Sequence, residues 1–333
     1  MKKLVIQIPC LNEAPTLPQT LRDLPTQIPG IDIIEVLVID DGSDDNTSDV
    51  ARACGVDHVV RFRSNKGLAT AFMTGLDTAV KLGADYIVNT DADNQYAGHD
   101  IPKLLAPLIS GKADIVIGDR NVRTLQKMPR HKRWLQLCGS WVVRQVSNTR
   151  VPDATSGFRA YSREAALRQT IVSEFSYTLE SIIQAGKKRM AIAHVPIATN
   201  ERTRDSRLFS SVSSYIKKSA TTIVRIYTMY EPLKVFTTIG LVTFLAGFGI
   251  SLRFLYYYID GSGQGHLQSL ILSAVLMTVG FQVLLIGLVA DVISANRKLL
   301  EELLYRMRSL ELTSGRDVKP VSQSNEQSRL GER

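Results

Sequence analysis

An α/β fold is predicted for this sequence: a mostly parallel sheet with helices on both faces, followed by an amphipathic interfacial helix and two transmembrane helices. Three observations carry that prediction. Through the first part of the chain, short β-rich runs alternate with segments of helical periodicity, the pattern of strands joined by crossover helices. The polar loops Pro9–Glu13, Asp40–Asn46 and Asp91–Gln95 each follow an apolar run, which brings them to one edge of such a sheet. Two long apolar stretches, Val235–Ile259 and Leu267–Ala290, lie in the last third.

Taken in order, strands are expected at Leu4–Ile8, Ile34–Ile39, His58–Phe62, Tyr86–Asn89 and Ile115–Ile117. Helices are expected near Leu17–Leu24, Thr47–Cys54, Leu68–Leu82 and Ile101–Leu108. From Arg120 to Arg150, Arg and Lys crowd around Trp134 and Trp141, a basic loop and then a helix. That face is either solvated or in contact with lipid headgroups. The turn-rich stretch Asp153–Arg159 leads into helices near Glu164–Arg168 and Tyr177–Ala185, and a strand at Ala191–Ala198 closes the domain.

From Leu208 to Tyr230 apolar residues recur at helical spacing, among them Val212, Ile223, Ile226 and Tyr230, with Lys217, Lys218 and Arg225 between them. The pattern fits an amphipathic helix in a membrane interface, or a helix packed on a core. Each following apolar stretch is long enough to cross about 30 Å of hydrocarbon at 1.5 Å per residue. The linker Asp260–His266 has no Lys or Arg, whereas Lys217, Lys218, Arg225 and Lys234 precede the first span and Arg297 and Lys298 follow the second. The excess of positive charge on that side predicts a multi-pass protein of the cell membrane with both termini and the soluble domain in the cytoplasm. Arg253, beside Tyr256, Tyr257 and Tyr258, is expected to snorkel toward the far headgroups. Beyond the second span, Leu299, Leu300, Leu303, Leu304, Met307 and Leu310 form a helical stripe suited to self-association or to lying on the membrane. Residues after Ser314 have the composition of a disordered tail. The predicted organisation is a catalytic domain over 1–207, an interfacial helix over 208–232, two spans within 233–294, and a cytoplasmic helix and tail over 295–333.

Composition narrows the class. Residues 1–100 hold 8 Lys and Arg against 15 Asp and Glu, and the remainder holds 32 against 17, so the net charge of +8 resides in the membrane-proximal part. That is where a lipid surface or an anionic acceptor is expected. No zinc-finger spacing or aromatic RNA-binding signature accompanies the basicity, which disfavours nucleic acid. The three cysteines, Cys10, Cys54 and Cys138, have neither disulfide-framework nor metal-site spacing and suit a reducing compartment.

The chemistry centres on Asp91, Ala92, Asp93, Asn94 and Gln95 at the end of the fourth expected strand. If strand geometry persists, residues 91, 93 and 95 share one side and present three oxygens to a hard cation. Mg²⁺ or Mn²⁺ fits such a set and leaves positions for substrate phosphates; the bland alternative is a pair of acids facing water.

Six motifs in order, Ile8-Pro9-Cys10-Leu11-Asn12-Glu13, Val38-Ile39-Asp40-Asp41-Gly42-Ser43, Asn65-Lys66-Gly67-Leu68-Ala69-Thr70-Ala71, Asp91-Ala92-Asp93-Asn94-Gln95, Gly118-Asp119-Arg120 and Ser156-Gly157-Phe158-Arg159, resemble the family-2 glycosyltransferases. The resemblance covers about the first two hundred residues and implies the Rossmann-like GT-A fold. With the two spans and the amphipathic helix, the sequence is most similar to the polyprenyl-phosphate glycosyltransferases, the group of dolichyl-phosphate mannose synthases and undecaprenyl-phosphate glucosyltransferases.

The resemblance implies a nucleotide-sugar donor site at Pro9, Leu11, Glu13, Asp40, Asp41, Lys66, Gly67, Asp91, Ala92, Asp93 and Arg120. It implies a Mg²⁺ or Mn²⁺ site at Asp91, Asp93 and Gln95. Acceptor-phosphate binding falls to Arg120, Arg204, Ser206 and Arg207, and the family's catalytic aspartate position to Asp153. The loop Val122–Pro129 is expected to close over the donor. Leu11 stands where the family commonly has tyrosine, and the Gln-x-x-Arg-Trp motif of processive polysaccharide synthases is missing. The expected reaction is therefore inverting transfer of one sugar from a UDP- or GDP-hexose to undecaprenyl or dolichyl phosphate at the cytoplasmic membrane face. Expected partners are the donor, the polyprenyl phosphate, the bilayer and possible further copies of the chain, without nucleic acid. The competing readings are an anchored transferase acting on a glycan or protein, and a non-catalytic scaffold that binds nucleotide sugars.

Overall fold

Alternation along the first strand divides the core in two. In the computed structural model, which describes residues 1–121, 130–172, 177–200, 212–261 and 267–317, Leu4, Ile6 and Ile8 are buried on one face of the sheet and Val5 on the other. The parallel strands β1 (Lys3–Cys10), β2 (Ile33–Asp40), β3 (His58–Arg61) and β4 (Tyr86–Asn89) run in the order β3-β2-β1-β4. Beyond β4 the sheet continues with β5 (Ile115–Asp119), β6 (Arg159–Ser162) and β7 (Ile192–Pro196), in the order β6-β5-β7. β6 is antiparallel to both β4 and β5, and β7 is parallel to β5.

The connecting helices are α1 (Leu17–Arg22), α2 (Thr47–Ala53), α3 (Leu68–Lys81), α4 (Ile101–Ile109), α5 (Arg130–Ser147), α6 (Arg163–Arg168) and α7 (Tyr177–Lys187). α3 turns Ala69, Phe72, Leu76, Ala79 and Val80 onto the Val5 face, at helical spacing. α4 turns Ile101, Leu104, Leu105 and Leu108 onto the Leu4 face. Each fully buried Leu, Ile or Phe of this kind contributes about 1.5–3 kcal/mol. α6 starts where the Ser162 side chain accepts a hydrogen bond from the Ala165 amide at 3.1 Å.

Strand β6 departs from expectation, since Asp153–Arg159 read as turns leading straight into helix. Four residues, Arg159-Ala160-Tyr161-Ser162, are too few for a period-2 signal, and a buried Arg opens them. Pairing on both sides decides the matter, because Tyr86 to Asn89 of β4 and Ile115 to Ile117 of β5 each find partners there.

The C-terminal elements are α8 (Val212–Tyr230), α9 (Pro232–Ile259) and α10 (Leu267–Asp317). Of the two readings open for α8, the described residues show packing on a core for one side of the helix: Ile223, Ile226 and Tyr230 are buried in the core shared with α3 and α7. Val224 and Arg225 remain exposed on its outer side. Packing won because α7 offers a complementary apolar surface that the sequence pattern alone does not display.

Among the described residues, α9 and α10 are long and apolar enough to cross a membrane, and most of each is uncovered by protein. Lipid is the solvent that such surfaces fit. They pack at glycines: a Cβ at Gly240 would lie 2.9 Å from the Gly280 carbonyl oxygen, and one at Gly280 would lie 2.6 Å from the Phe244 amide nitrogen. Arg253 stacks over Tyr257, 5.7 Å from the ring centroid. The second span and the cytoplasmic stripe, expected as separate elements, are one unbroken helix that extends past Ser314 to Asp317. Its distal part docks on the domain through Glu301 to Lys188 at 3.0 Å, Tyr305 Oη to Glu164 at 3.0 Å, and Arg308 to the Gln169 carbonyl at 2.9 Å.

Candidate active site

The strand ends of β1, β2 and β4 deliver three acidic loops to one edge. The first two are laced together by side chain to backbone hydrogen bonds. Asn12, at φ +56°, accepts the Asp44 amide at 2.8 Å, while its own amide donates to Ser43 Oγ at 2.9 Å. The Glu13 amide donates to Thr47 Oγ1 at 2.9 Å, and the Glu13 carboxylate accepts Thr16 Oγ1 at 2.7 Å.

Asp40 and Asp41 are fully engaged. Asp40 accepts the Ser43 amide at 2.8 Å and the Ser48 hydroxyl, with Arg61 Nε 3.6 Å away. Asp41 accepts the amides of Lys66 at 2.7 Å and Gly67 at 2.9 Å, which pins the Asn65-Lys66-Gly67 turn against the second loop. Burial pushes the Asp41 carboxyl upward, an effect those two amides oppose. Gly42 permits the approach, since at φ +72° its Cβ would lie 2.5 Å from the Ser64 carbonyl carbon. Pro9 is buried, whereas Leu11 stands exposed at the rim.

The third loop differs in geometry from its expectation. β4 ends at Asn89, and Asp91, Asp93 and Gln95 converge through a turn with Asn94 at φ +54° rather than through strand alternation. The Gln95 amide donates to Asp93 Oδ1 at 3.1 Å and its side-chain nitrogen donates to Asp93 Oδ2 at 2.8 Å, which leaves the Gln95 side-chain oxygen as the atom that could face a cation. The buried Ala92 fixes the turn from below, its carbonyl accepting Thr20 Oγ1 at 2.9 Å.

Asp91 is the perturbed group. Burial pushes its carboxyl up to about 7, repulsion from Asp93 adds to the effect, and the attraction of Arg120 and Arg159 only partly offsets it. Gly157 passes directly beneath: a Cβ there would sit 3.0 Å from Asp91 Oδ1 and 2.9 Å from Tyr177 Oη. Asn89 holds this floor in place, donating from Nδ2 to the Gly157 carbonyl and to Tyr177 Oη, each at 2.9 Å, while accepting Gln7 Nε2 at 2.8 Å. A divalent cation fits the set, because all the donor atoms are oxygens and because a cation relieves the penalty on ionised Asp91. Among the described residues no cluster of three His, Cys, Asp or Glu side chains forms, so two carboxylates and an amide leave room for phosphate and water ligands.

Arg120 and Asp153, expected at separate tasks, form one unit. Arg120 Nε donates to Asp153 Oδ2 at 2.7 Å, and Nη2 donates to Asp153 Oδ1 at 3.0 Å and to Thr155 Oγ1 at 2.8 Å. Burial would raise Asp153, but the Arg120 guanidinium more than offsets this and holds the carboxyl below the usual carboxylate range. Arg120 is itself held above its ordinary value, the negative groups around it outweighing its desolvation.

Two residues of the site escaped the sequence reading. Tyr96 accepts the Gly157 amide at 3.0 Å and stacks on Phe158 at 5.1 Å. Arg159 is buried, and among the described residues it donates to the carbonyls of Ser156 at 2.8 Å and Ala154 at 2.9 Å and to Ser181 Oγ at 2.5 Å. Its charge draws the Asp91 carboxyl downward against the effect of burial. A cation inside the turn motif was the available signal for Arg159; Tyr96 had none. Arg204, Ser206, Arg207 and the loop Val122–Pro129 lie outside the described residues. The last described residue before the basic segment, Asn200, is bonded to the third loop, its amide to the Gln95 carbonyl at 2.9 Å and its Nδ2 to the Asn94 carbonyl at 3.0 Å.

Comparison with known proteins finds matches to two regions of the chain. Residues 5–168 match "Glycosyl transferase family 2", and residues 231–295 match "GtrB C-terminal hairpin". The undecaprenyl-phosphate mannosyltransferase of Micrococcus luteus is 32% identical over 206 residues, 59% of this chain and 82% of that protein. The UDP-N-acetylglucosamine–dolichyl-phosphate N-acetylglucosaminyltransferase of Methanococcus voltae is 29% identical over 219 residues, 60% of this chain and 86% of that protein. A crystal structure of glucosyl-3-phosphoglycerate synthase from Mycobacterium tuberculosis, solved with Mn²⁺, UDP and glucosyl-3-phosphoglycerate, superposes with a TM-score of 0.52 at 20% identity. It covers 68% of this chain and 79% of its own, and shows the shared GT-A fold. The chain belongs to the family-2 glycosyltransferases, with a GtrB-type hairpin attached.

Proposed function

We propose that this chain transfers a single hexose from a UDP- or GDP-sugar to a polyprenyl phosphate, with inversion, at the cytoplasmic face of the membrane that holds α9 and α10. The observation that carries the reading is the path of the chain. Residues bonded to the Asp91–Gln95 turn at Asn200 lead into the basic segment Arg202–Arg207 and then into α8 and the hairpin. A cation-binding edge and a lipid anchor are thus joined by a stretch suited to a lipid phosphate. The named activities of the two relatives, sugar transfer to undecaprenyl and dolichyl phosphate, support the same acceptor class.

Asp91, Asp93 and the Gln95 side-chain oxygen would hold Mg²⁺ or Mn²⁺, which would supply Lewis-acid neutralisation of the leaving diphosphate. The remaining work falls to the chain's own groups. Asp40 and Asp41 hold the loops that form the nucleotide pocket, with Pro9, Leu11, Glu13, Lys66 and Gly67 along it and Ala92 at its floor. Arg120, with Nε and Nη2 engaged by Asp153 and Thr155, offers Nη1 to a phosphate oxygen. Arg204, Ser206 and Arg207 receive the acceptor phosphate.

Asp153 is a weak base while paired to Arg120. A strong one is unnecessary, since a phosphate monoester with second pKa about 6 is largely deprotonated at neutral pH. Its chief role is to hold Arg120 in place; at most it takes a residual proton.

The test uses purified full-length protein with undecaprenyl or dolichyl phosphate, a panel of UDP- and GDP-sugars, and Mg²⁺ or Mn²⁺. A charged sugar-lipid is the expected product and identifies the donor. Transfer to a soluble glycan alone overturns the proposal.

A further inference from the structure

The catalytic domain and the helical hairpin meet around a cleft of about 230 Å³. Arg168, which ends α6, and Lys187 and Lys188 at the end of α7 line it from the domain, and Lys298 lines it from α10. Shortly after Lys188 the chain enters β7, at the edge of the sheet opposite the Asp91–Gln95 turn, since β4, β5 and β7 all run one way. The cleft is therefore separate from the candidate active site. On the anchor side Glu231 immediately precedes α9, and Lys298 stands one turn past Ser294, whose hydroxyl donates to the Met229 carbonyl at 3.1 Å. The long apolar stretches begin next to both, which sets the cleft at the depth of a bilayer's phosphate layer.

The carboxylates of the cleft are spent. Glu231 takes Lys187 at 2.8 Å and Lys234 at 3.1 Å, Glu301 takes Lys188 at 3.0 Å and Arg297 at 2.9 Å, and Glu302 takes Arg306 at 3.0 Å. The cations are not. Among the described residues Lys298 has no ion pair or hydrogen bond. Arg168 donates from Nε to Glu164 at 2.7 Å, while its Nη1 stands 3.9 Å from Glu302, beyond hydrogen-bond reach. Lys187 uses one of its three donors, on Glu231. Arg297, beside the cleft, keeps a buried Nη1 that has no partner among the described residues. Two of these donors are also held in place, Arg168 over the Tyr305 ring at 4.2 Å and Arg297 over the Tyr230 ring at 4.5 Å. What the cleft lacks is an anion.

We propose that this cleft binds the phosphodiester headgroup of an anionic phospholipid such as phosphatidylglycerol, with Lys298, Lys187 and Arg168 donating to its phosphate oxygens. Four cations against three carboxylates leave one positive charge in excess, which a diester monoanion cancels. A zwitterionic lipid brings an ammonium as well, and the carboxylates that would receive it are taken. Because Arg168 and Lys187 belong to the domain and Lys298 to the anchor, one bound headgroup ties the two together. The inference rests on the membrane reading of α9 and α10 and not on the transfer chemistry.

The experiment titrates full-length protein in maltoside detergent with dioctanoyl phosphatidylglycerol by calorimetry. Neither donor nor polyprenyl phosphate is present, so failure here would leave the transfer proposal standing. Saturable binding is expected, roughly tenfold or more tighter than binding of dioctanoyl phosphatidylcholine. Lys298→Gln should weaken it about tenfold and Lys298→Arg should retain it, whereas Arg225→Gln, at an exposed cation on the outer side of α8, should change it less than about twofold. Each variant should unfold at the wild-type temperature without lipid, which separates lost binding from lost folding. An equal loss in Arg225→Gln would reduce the binding to diffuse surface charge and overturn the proposal. Equal affinity for phosphatidylcholine would overturn it too. Glycerol 1-phosphate or inorganic phosphate binding as tightly as the lipid would assign the cleft to a soluble phosphate, and displacement of phosphatidylglycerol by undecaprenyl phosphate would assign it to the acceptor; either result overturns the proposal.

Discussion

Two pairs of acids stand at neighbouring strand ends and do opposite things. Asp40 and Asp41, after β2, spend their oxygens on the amides of Ser43, Lys66 and Gly67 and on the Ser48 hydroxyl. Asp91, after β4, takes no hydrogen bond among the described residues and is half-buried beside Asp93. A saturated carboxylate is part of the scaffold. An unsaturated one beside a like charge is strained toward its neutral form and is poised to take a cation. The chemical group is the same, and its neighbours decide its use.

Exchange of Asp91 for Asn probes that contrast hardest. Turnover should fall about 10³-fold with loss of metal-dependent donor binding, as expected when charge stabilisation of a leaving group is removed. Folding should not suffer. With its folded-state pKa raised to about 7, Asp91 favours the folded state while it is protonated. In chelator, therefore, the wild-type melting temperature should decline as pH rises from about 4, the unfolded carboxylate value, through about 7. Asp91→Asn should flatten that slope, and added Mn²⁺ should restore wild-type stability near neutrality. A wild-type profile without the decline would remove Asp91 from the metal site.

Asp153→Asn should lower turnover by about 100-fold through a loosened Arg120, with donor affinity by calorimetry nearly unchanged. Unchanged turnover would show that the pair is only structural. Asp41→Asn should do the reverse of Asp91→Asn. Losing charge-assisted bonds to two partly buried amides should destabilise the fold by about 1–3 kcal/mol in urea titration, with a lesser effect on activity at saturating donor. The smallest effect is expected for Leu11→Tyr, which restores the family's common residue at the exposed rim. Stacking on the base is worth about 0.5–1.5 kcal/mol, so donor affinity should rise a few-fold.

Much of this was legible in one dimension. The strands β1, β2 and β4 and the helices α3 and α4 carry their periodicity openly, and the motif order from Pro9 to Arg159 marked both the class and most residues of the site. The two long apolar helices needed only length and apolar content. These features depend on residues close together in sequence, and local pattern is what a sequence displays.

Three-dimensional packing settled the rest. Four residues became strand β6 because β4 and β5 offered them edges on both sides. The inner face of α8 met the domain core because α7 supplied an apolar surface about forty residues away. Asp93 met Gln95 across a left-handed Asn94, and Arg120 met Asp153 across 33 positions of chain. The sequence by itself determined which chemical groups this protein has and roughly where each strand places them. Only the tertiary structure decided which carboxylate is satisfied and which is left wanting a cation, because solvation and charge pairing depend on neighbours that the linear order does not bring together.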